Sequence, residues 1–383
     1  MTSDRVYPLA RPKGHKPPME RWKLEFRDNE NQIHTAYIGV QRHESNPGTA
    51  TSFERSVETV QTWLESIDAD ERPAVEKFEF LEGDDEPESV IWVCYWASSI
   101  AYENCIQQLR LTDMYNRIAR PKAVGLWLER FTTQISRLET NYSGLDYLPG
   151  LAQLPGSKPV EHTLTAYWGA ARDRIPDSAH DLFSRSEEIH DPPVDIPAGV
   201  GQHLSGSNVY DNLVHIRSGQ FWENCSETES SAYETTLRPT LHAGLRYLWE
   251  NRTDSGAMGL RFLRNLHNDP SPDLKSSGNG GLAPVLVPDS QTAPRARPPA
   301  KETSAAGFFR NLSDLEKWAK RHPSHLAIFN GAIAHARTFG ENRKFRTWHE
   351  VSILKRGEAS FEYVNCLPKT GVISYLHLDR QDL

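Results

Sequence analysis

Apolar positions divide the first part of the chain into short strands and one helix. Between Val57 and Ile67 apolar residues recur every three or four positions, which predicts an amphipathic helix. Strands are predicted where branched and aromatic residues cluster between polar segments. These predicted strands are Thr35–Gln41, Glu76–Glu82 and Glu88–Ser98.

The segment Ala123–Leu138 has apolar residues at intervals of three and four, which predicts a second amphipathic helix. This helix would place Glu139 at its C-terminal end. The apolar positions that define the predicted stripe are Val124, Trp127, Leu128, Phe131, Ile135 and Leu138.

The second part of the chain repeats this order of elements. His162–Pro176 is predicted to be a strand, and Asp211–Trp222 is a second apolar strand that ends in an aromatic residue. A helix follows, with a stripe formed by Leu237, Leu241, Leu245, Leu248 and Trp249. Strand–helix–strand halves whose helices cover one face of antiparallel sheets indicate an α+β fold.

Two helices and two strands are predicted at the C-terminal end. Ser313 with Glu316 three residues later is a capping-box signature that begins one helix. Pro323 cannot donate a backbone hydrogen bond, so it ends that helix and begins the next. Arg346–Leu354 and Ala359–Pro368 are predicted to form a closing β-hairpin.

Composition changes mark the domain limits. Residues 1–22 are Pro-rich and predict an N-terminal arm, and residues 23–383 form one domain. Its two halves cover about 35–150 and 160–383. Residues 271–304 are dominated by Pro, Gly, Ser and charge, which predicts a flexible surface loop because little apolar surface is available to bury.

Charge and cysteine usage exclude several classes of protein. The 383 residues carry a net charge of -8 and a pI of about 6.0, which argues against nucleic-acid binding. The N-terminus has no apolar signal region, and the longest apolar runs are too short for a membrane span. The four cysteines form no CxxC pair, which argues against a thiolate zinc site. We therefore expect a cytoplasmic protein.

His325 is the first candidate for chemistry because it lies in the first turn of a helix with a small, apolar face. It is either a core histidine with one hydrogen bond or an axial ligand to a flat cofactor, which Gly331, Ala332 and Ala336 would let approach. A zinc site with His322 is disfavoured because Pro323 breaks the helical spacing and no third ligand follows.

Four further residues have both an ordinary and a functional interpretation. His349 at a strand start is either exposed or catalytic, and Ser218 ends an apolar strand where a hydroxyl could face a cavity. Arg174 is either a surface cation or a site residue, and Glu139 could pair with it. None of these signals is specific when it is taken alone.

Taken together and in order, five segments resemble the haem-containing aldoxime dehydratases, which include phenylacetaldoxime dehydratase. The resemblance extends from about Tyr37 to Pro368. The segments are AYWGAARDRIP (166–176), DNLVHIRSGQFW (211–222), HPSHLAIF (322–329), WHEVSIL (348–354) and EYVNCLP (362–368).

The resemblance implies a role for each candidate residue. His325 becomes the proximal ligand of a non-covalent b-type haem, and His349 the distal acid–base residue. Ser218 contacts the substrate, while Arg174 and Glu139 orient and charge-balance His349. The implied reaction is dehydration of an aldoxime to a nitrile, in which ferrous haem binds the oxime nitrogen directly.

The resemblance also implies a fold and an assembly, namely a homodimeric α+β barrel of ferredoxin-like halves with a haem pocket. The interval from His325 to His349 is a few residues longer than in bacterial members, and the loop at 271–304 is longer too. Two alternatives stay open: a haem-binding or peroxidase-like protein of the same barrel without dehydratase activity, and a haem-free interaction module.

Overall fold

The structure is a computed structural model that describes residues 5–43, 47–85, 88–186, 199–266 and 300–383, with the backbone alone at 47–49. The described residues contain fourteen strands: β1 (Trp22–Glu25), β2 (Gln32–Arg42), β3 (Ala74–Gly83), β4 (Ser89–Trp96), β5 (Val124–Gln134), β6 (Leu138–Tyr142), β7 (Lys158–Glu161), β8 (Gln202–Ser207), β9 (Leu213–Phe221), β10 (Ala257–Asn265), β11 (Glu302–Phe309), β12 (Arg346–Leu354), β13 (Ala359–Val364) and β14 (Asp379–Asp382).

The same residues contain nine α-helices: α1 (Pro47–Ser66), α2 (Ser99–Gln108), α3 (Leu111–Asn116), α4 (Ala170–Arg174), α5 (Glu227–Ala232), α6 (Arg238–Glu250), α7 (Arg252–Ser255), α8 (Leu312–Arg321) and α9 (Pro323–Phe339). A π-helical turn, Tyr233–Leu237, joins α5 to α6. No helix in the described ranges is both long and apolar enough to cross a membrane.

All the strands join one sheet with the order β14-β8-β13-β5-β2-β4-β3-β10-β11-β9-β12-β6-β1-β7. Every neighbouring pair is antiparallel. One face carries a large shared core, and the other face is covered by helices in two separate clusters. The α+β class that the sequence predicts is therefore confirmed.

Most of the predicted elements are also confirmed. The predicted strands at 35–41, 76–82, 88–98 and 211–222 lie in β2, β3, β4 and β9, and the predicted helix at 57–67 lies in α1. Pro323 separates α8 from α9 as expected. The first of these helices is capped by the side chain of Asn311, which accepts the backbone N–H of Asp314, and not by Ser313.

The predicted helix at Ala123–Leu138 is wrong. This segment forms β5, which pairs with β2 along its whole length, and Glu139 lies in β6 after a short 3-10 turn. Both faces of β5 are buried, so apolar residues occupy positions of both parities and imitate a helical period.

Two predictions in the second half are also wrong, and a third is cut short. His162–Pro176 is not a strand, because β7 ends at Glu161 and α4 occupies Ala170–Arg174. The C-terminal strands form no hairpin, because β12 pairs with β9 and β6 while β13 pairs with β5 and β8. Residues 271–299 of the predicted loop lie outside the described residues. Its last three residues, 302–304, belong to β11.

Candidate active site

Three adjacent strands, β9, β12 and β6, bring three of the five predicted site residues onto one face of the sheet. The register places Ser218 directly opposite His349, and His349 directly opposite Asn141. Side chains of directly paired residues lie on the same face of a sheet, as do residues two apart on one strand. Glu139 is two residues from Asn141 and therefore shares this face.

Glu139, Arg174 and His349 form one hydrogen-bonded cluster. Nε of Arg174 lies 2.5 Å from Oε1 of Glu139, and Nε2 of His349 lies 3.0 Å from the same oxygen. Arg174 comes from the short helix α4, and its Nη1 also donates to the carbonyl of Leu164. The structure thus brings together three residues that are far apart in sequence.

The charge state of Glu139 follows from these neighbours. Its side chain is fully buried, which disfavours the carboxylate, but the positive charges of Arg174 and His349 outweigh burial and lower the pKa of Glu139. Its second oxygen, Oε2, is enclosed and has no hydrogen-bond partner within the described ranges. The carboxylate is held ionised beside the imidazole.

His349 Nε2 faces a donor and an acceptor at once. Nη2 of Arg174 lies 3.1 Å from this nitrogen, and Oε1 of Glu139 lies 3.0 Å from it. A protonated Nε2 donates to Glu139, whereas an unprotonated Nε2 accepts from Arg174. The cluster therefore offers a hydrogen-bond partner to Nε2 in either protonation state.

His325 lies near the start of α9 and is half-buried, with its ring 4.6 Å from that of Trp318. Burial and, to a smaller extent, the charge of His349 lower the pKa of His325 to about 4, although a backbone contact with Ala319 opposes this effect. The imidazole is therefore neutral near pH 7, and the two histidines are close enough to interact electrostatically.

Trp168 packs against the same end of α9. Its ring centroid lies 5.3 Å from that of Phe329 and 6.4 Å from that of His325. Trp168 and Arg174 belong to one segment, which therefore contacts α9 at one end and the His349 cluster at the other. This segment therefore connects α9 to the strands that carry Glu139 and His349.

The surroundings of His325 fit a haem with an axial imidazole. A single neutral imidazole can hold a haem iron, whereas the described residues provide no cluster of three or more metal-binding side chains. Apolar side chains along α9 are only half-buried, and a planar apolar ring would cover them. These side chains are Leu326, Ile328, Phe329 and Ile333. Opposite His349 the sheet carries the small side chains of Ser218 and Ala305, which leave room for such a ring.

Two residues that the sequence reasoning missed lie directly behind the site. Arg217 and Glu350 are sequence neighbours of Ser218 and His349, are paired across β9 and β12, and face the shared core. Arg217 Nη1 donates to Glu76 at 2.6 Å and to Tyr95 at 2.8 Å, and the Tyr95 hydroxyl donates to Glu350 at 2.9 Å. Neighbouring residues of a strand face opposite sides of the sheet. A charged residue next to Ser218 and one next to His349 therefore indicate a charged pair on the opposite face, and this signal could have identified them.

Replacing Arg217 with Met is expected to lower the free energy of unfolding by about 3–5 kcal/mol, because it leaves Glu76 and Glu350 buried without their cation. Urea unfolding followed by tryptophan fluorescence measures this loss. Arg264→Met is the matched control, since Arg264 forms a half-exposed pair with Glu79 and its loss should cost about 1 kcal/mol or less. Equal losses in the two variants would contradict this account of the buried pair.

A separate surface cleft of about 380 Å³ is lined by residues at the start of β1, in the segment after β6 and in the segment that leads into β12. None of the five predicted site residues lines it. Its walls carry both charges, from Glu20, Asp146, Glu341, Arg343 and Arg346. This cleft is therefore distinct from the His325–His349 site.

Comparison with known proteins gives a family-level match. The sequence profile described as haem-containing dehydratase matches residues 36–372. The aliphatic aldoxime dehydratase of Pseudomonas chlororaphis is 27% identical over 364 residues, which cover 94% of this chain and 92% of that protein. The phenylacetaldoxime dehydratase of Bacillus sp. (strain OxB-1) is 24% identical over 370 residues, which cover 96% of this chain and 94% of that protein.

Solved structures match over the same extent. A crystal structure of aldoxime dehydratase superposes with a TM-score of 0.77 at 25% identity, and the match covers 98% of this chain and 96% of that one. An aldoxime dehydratase crystallised in complex with butyraldoxime also gives 0.77 at 25% identity, with coverage of 98% and 94%.

Proposed function

Because the chain belongs to the haem-containing dehydratase family, we propose that it is an aldoxime dehydratase, a lyase that converts R–CH=N–OH to a nitrile and water. The observation that carries this proposal is the Glu139–Arg174–His349 cluster, which interacts electrostatically with His325 across one space. Relatives that match nearly the whole chain are named for this reaction.

His325 is the residue that would hold the haem iron, because it is neutral, half-buried and at the start of a helix with an apolar face. Ferrous haem held there would supply a coordination position for the oxime nitrogen and electron density that weakens the N–O bond. Trp318 packs edge-on against the His325 ring and fixes its orientation.

His349 performs the proton transfers in this proposal. Hydroxide is a poor leaving group, so the N–OH oxygen must receive a proton as the N–O bond breaks. Nε2 of His349 is held by Glu139 and Arg174, which leaves Nδ1 as the nitrogen that exchanges protons with the substrate. The neutral imidazole formed in this step then takes the C–H proton, so one residue serves as acid and base in turn.

Glu139 and Arg174 keep His349 competent in both states. The carboxylate of Glu139 stabilises the imidazolium, and Arg174 balances the buried negative charge of Glu139. When His349 has given up its Nδ1 proton, Nε2 keeps its own N–H and its hydrogen bond to Glu139, so the ring stays oriented for the next proton transfer. Ser218 lies opposite His349 on the neighbouring strand, where its hydroxyl can hold the oxime oxygen near the imidazole.

An anaerobic assay of the purified protein tests the proposal. After reduction with dithionite, addition of butyraldoxime or phenylacetaldoxime should shift the Soret band, and the matching nitrile should accumulate. The air-oxidised protein should form much less nitrile. A haem band with peroxide-dependent turnover but no nitrile would favour the peroxidase-like alternative, and a colourless protein from a haem-replete host would favour the haem-free one.

We also propose that the chain consists of two ferredoxin-like halves. The elements β2-α1-β3-β4-α2-β5 and β9-α6-β10-β11-α9-β12 follow the same order, and both sets of strands are arranged fourth, first, third, second across the sheet. The Gly39–Trp127 pair in the first half matches Gly219–Trp348 in the second, because a Cβ at either glycine would overlap the facing indole.

The same correspondence pairs site residues with apolar ones. Ile38 precedes Gly39 as Ser218 precedes Gly219, so Ile38 corresponds to Ser218. Leu128 follows Trp127 as His349 follows Trp348, so Leu128 corresponds to His349. The homodimer and the cytoplasmic location implied by the family resemblance stay predictions. Light scattering of the purified protein and cell fractionation test them.

A further inference from the structure

Arg21, at the end of the N-terminal arm, extends the charged face of the site beyond the catalytic cluster. Its backbone carbonyl accepts the N–H of His162, and the next residue, Trp22, pairs with Tyr142 of β6. Arg21 therefore lies beside Ser143, on the face that carries Glu139. Ser143 lies opposite Thr347 of β12, two residues before His349. The Cα of Arg21 is thus two strands across and two residues along from that of His349, a distance of about 12 Å.

The Arg21 guanidinium has no anion to balance it. Its Nη1 is enclosed and lacks a hydrogen-bond partner, and no described residue forms an ion pair with it. Burial, together with the charges of Arg343, Arg174 and Arg346, lowers the pKa of Arg21 to about 9. Of these three neighbours, Arg174 is paired with Glu139 and Arg346 with Asp146.

Arg343 is the second unbalanced cation. Burial and the charge of Arg346 lower its pKa, and Glu229 and Asp146 oppose this only in part. The carboxylate of Glu229 is already used, because it accepts the backbone N–H groups of Lys344 and Phe345. No side-chain hydrogen bond or ion pair of Arg343 is present in the part of the chain that the structure describes.

Two partly buried arginines that lack an ion-pair partner are costly unless an anion completes the site. Guanidinium groups match carboxylates in geometry and bind them with two parallel hydrogen bonds. We propose that Arg21 and Arg343 bind the two propionate carboxylates of the haem whose iron His325 holds. This inference rests on the haem binding stated under the proposed function.

Three observations favour porphyrin carboxylates over a small free anion. Arg21 lies on the site face, and half a porphyrin with a propionate chain can cover its distance of about 12 Å from His349. Arg343 is close enough to Arg21 to interact with it electrostatically. Arg343 also lines the open cleft, where Glu20 and Glu341 are exposed and their negative charges oppose a general anion site. Two unbalanced cations also equal the two propionates in number.

The test follows haem loss from the holoprotein to excess apomyoglobin by the change in the Soret band. Losing a charge-assisted hydrogen bond should raise the rate of haem loss roughly 10- to 100-fold in Arg21→Gln and in Arg343→Gln. Arg21→Lys keeps the charge and should lie nearer to wild type. Arg27→Gln is the matched control, because Arg27 is exposed just beyond β1. Thermal unfolding of each variant checks that it is folded.

A second arm replaces haem with its dimethyl ester, which lacks the carboxylate charges. Wild type should lose the ester at the rate at which Arg21→Gln loses haem. Arg21→Gln should lose the ester no faster than wild type does. Equal release of haem and ester from wild type would overturn the proposal and leave the arginines to a small anion. Wild-type rates in both Gln variants would overturn it as well. Nitrile formation is assayed separately, so a protein that retains haem but makes no nitrile would contradict only the dehydratase.

Discussion

Replacing His325 with Ala is expected to yield a protein that has lost the wild-type Soret band and forms no nitrile. His325 is the one candidate for the iron ligand on α9 that is neutral and electrostatically coupled to His349. Without an axial imidazole the iron is bound only through the ring, and haem is lost or wrongly ligated. The measurement is the absorption spectrum and haem content of the purified variant, followed by addition of free imidazole. Imidazole can enter the space left by the side chain and should restore part of the band.

His322→Ala is the matched control for this substitution. His322 caps the same helix through its Nδ1, and its ring stacks on Tyr247. Losing the cap should cost about 1 kcal/mol of stability and leave the haem content unchanged. If instead both variants kept full haem, His325 would be an ordinary partly buried histidine. If both lost it, the helix start rather than the imidazole would be responsible.

Replacing His349 with Ala is expected to leave haem in place and lower kcat by about 10²–10⁴-fold. The variant removes the group that protonates the leaving hydroxyl, while the ion pair of Glu139 with Arg174 stays intact. The fold should therefore survive. The measurement combines the Soret spectrum with nitrile formation by the reduced protein.

The control for this substitution is His203→Ala. His203 is a half-buried histidine on β8, away from the site strands, and it pairs with Glu362 of β13. Wild-type kcat is expected in this control. Near-normal turnover by a pure, haem-loaded His349→Ala preparation would remove His349 from the mechanism and leave the role of His325 untouched.

The sequence predicted the helix that carries His325 because its signals are local. Pro323 begins α9, and the apolar and small residues repeat at helical intervals along it. Strand β12 was predicted for the same kind of reason, since branched and aromatic residues cluster around His349. Local propensity was enough for these two elements.

The remaining site geometry depends on contacts between distant segments. Glu139 was expected at the end of a helix, but it reaches the site from β6, and Arg174 reaches it from α4 after a segment that was expected to be a strand. The hydrogen bonds of both residues to His349 depend on the register of β12 with β6, which no local pattern specifies. The interval between His325 and His349 contains the 3-10 turn Gly340–Asn342, and His349 lies beside Glu139 and Arg174.

The two halves of the chain have unequal freedom to change. In the first half, Ile38 and Leu128 are buried in the core between the sheet and its helices, in the positions that correspond to Ser218 and His349. A histidine introduced at 128 would meet this packed apolar core and not an open space. Packing alone therefore limits which substitutions are tolerated on the helix-covered face of the first half. On the corresponding face of the second half, the proposed activity limits them as well. A chain that arose by duplication could in this way assign its stability to one copy and its chemistry to the other.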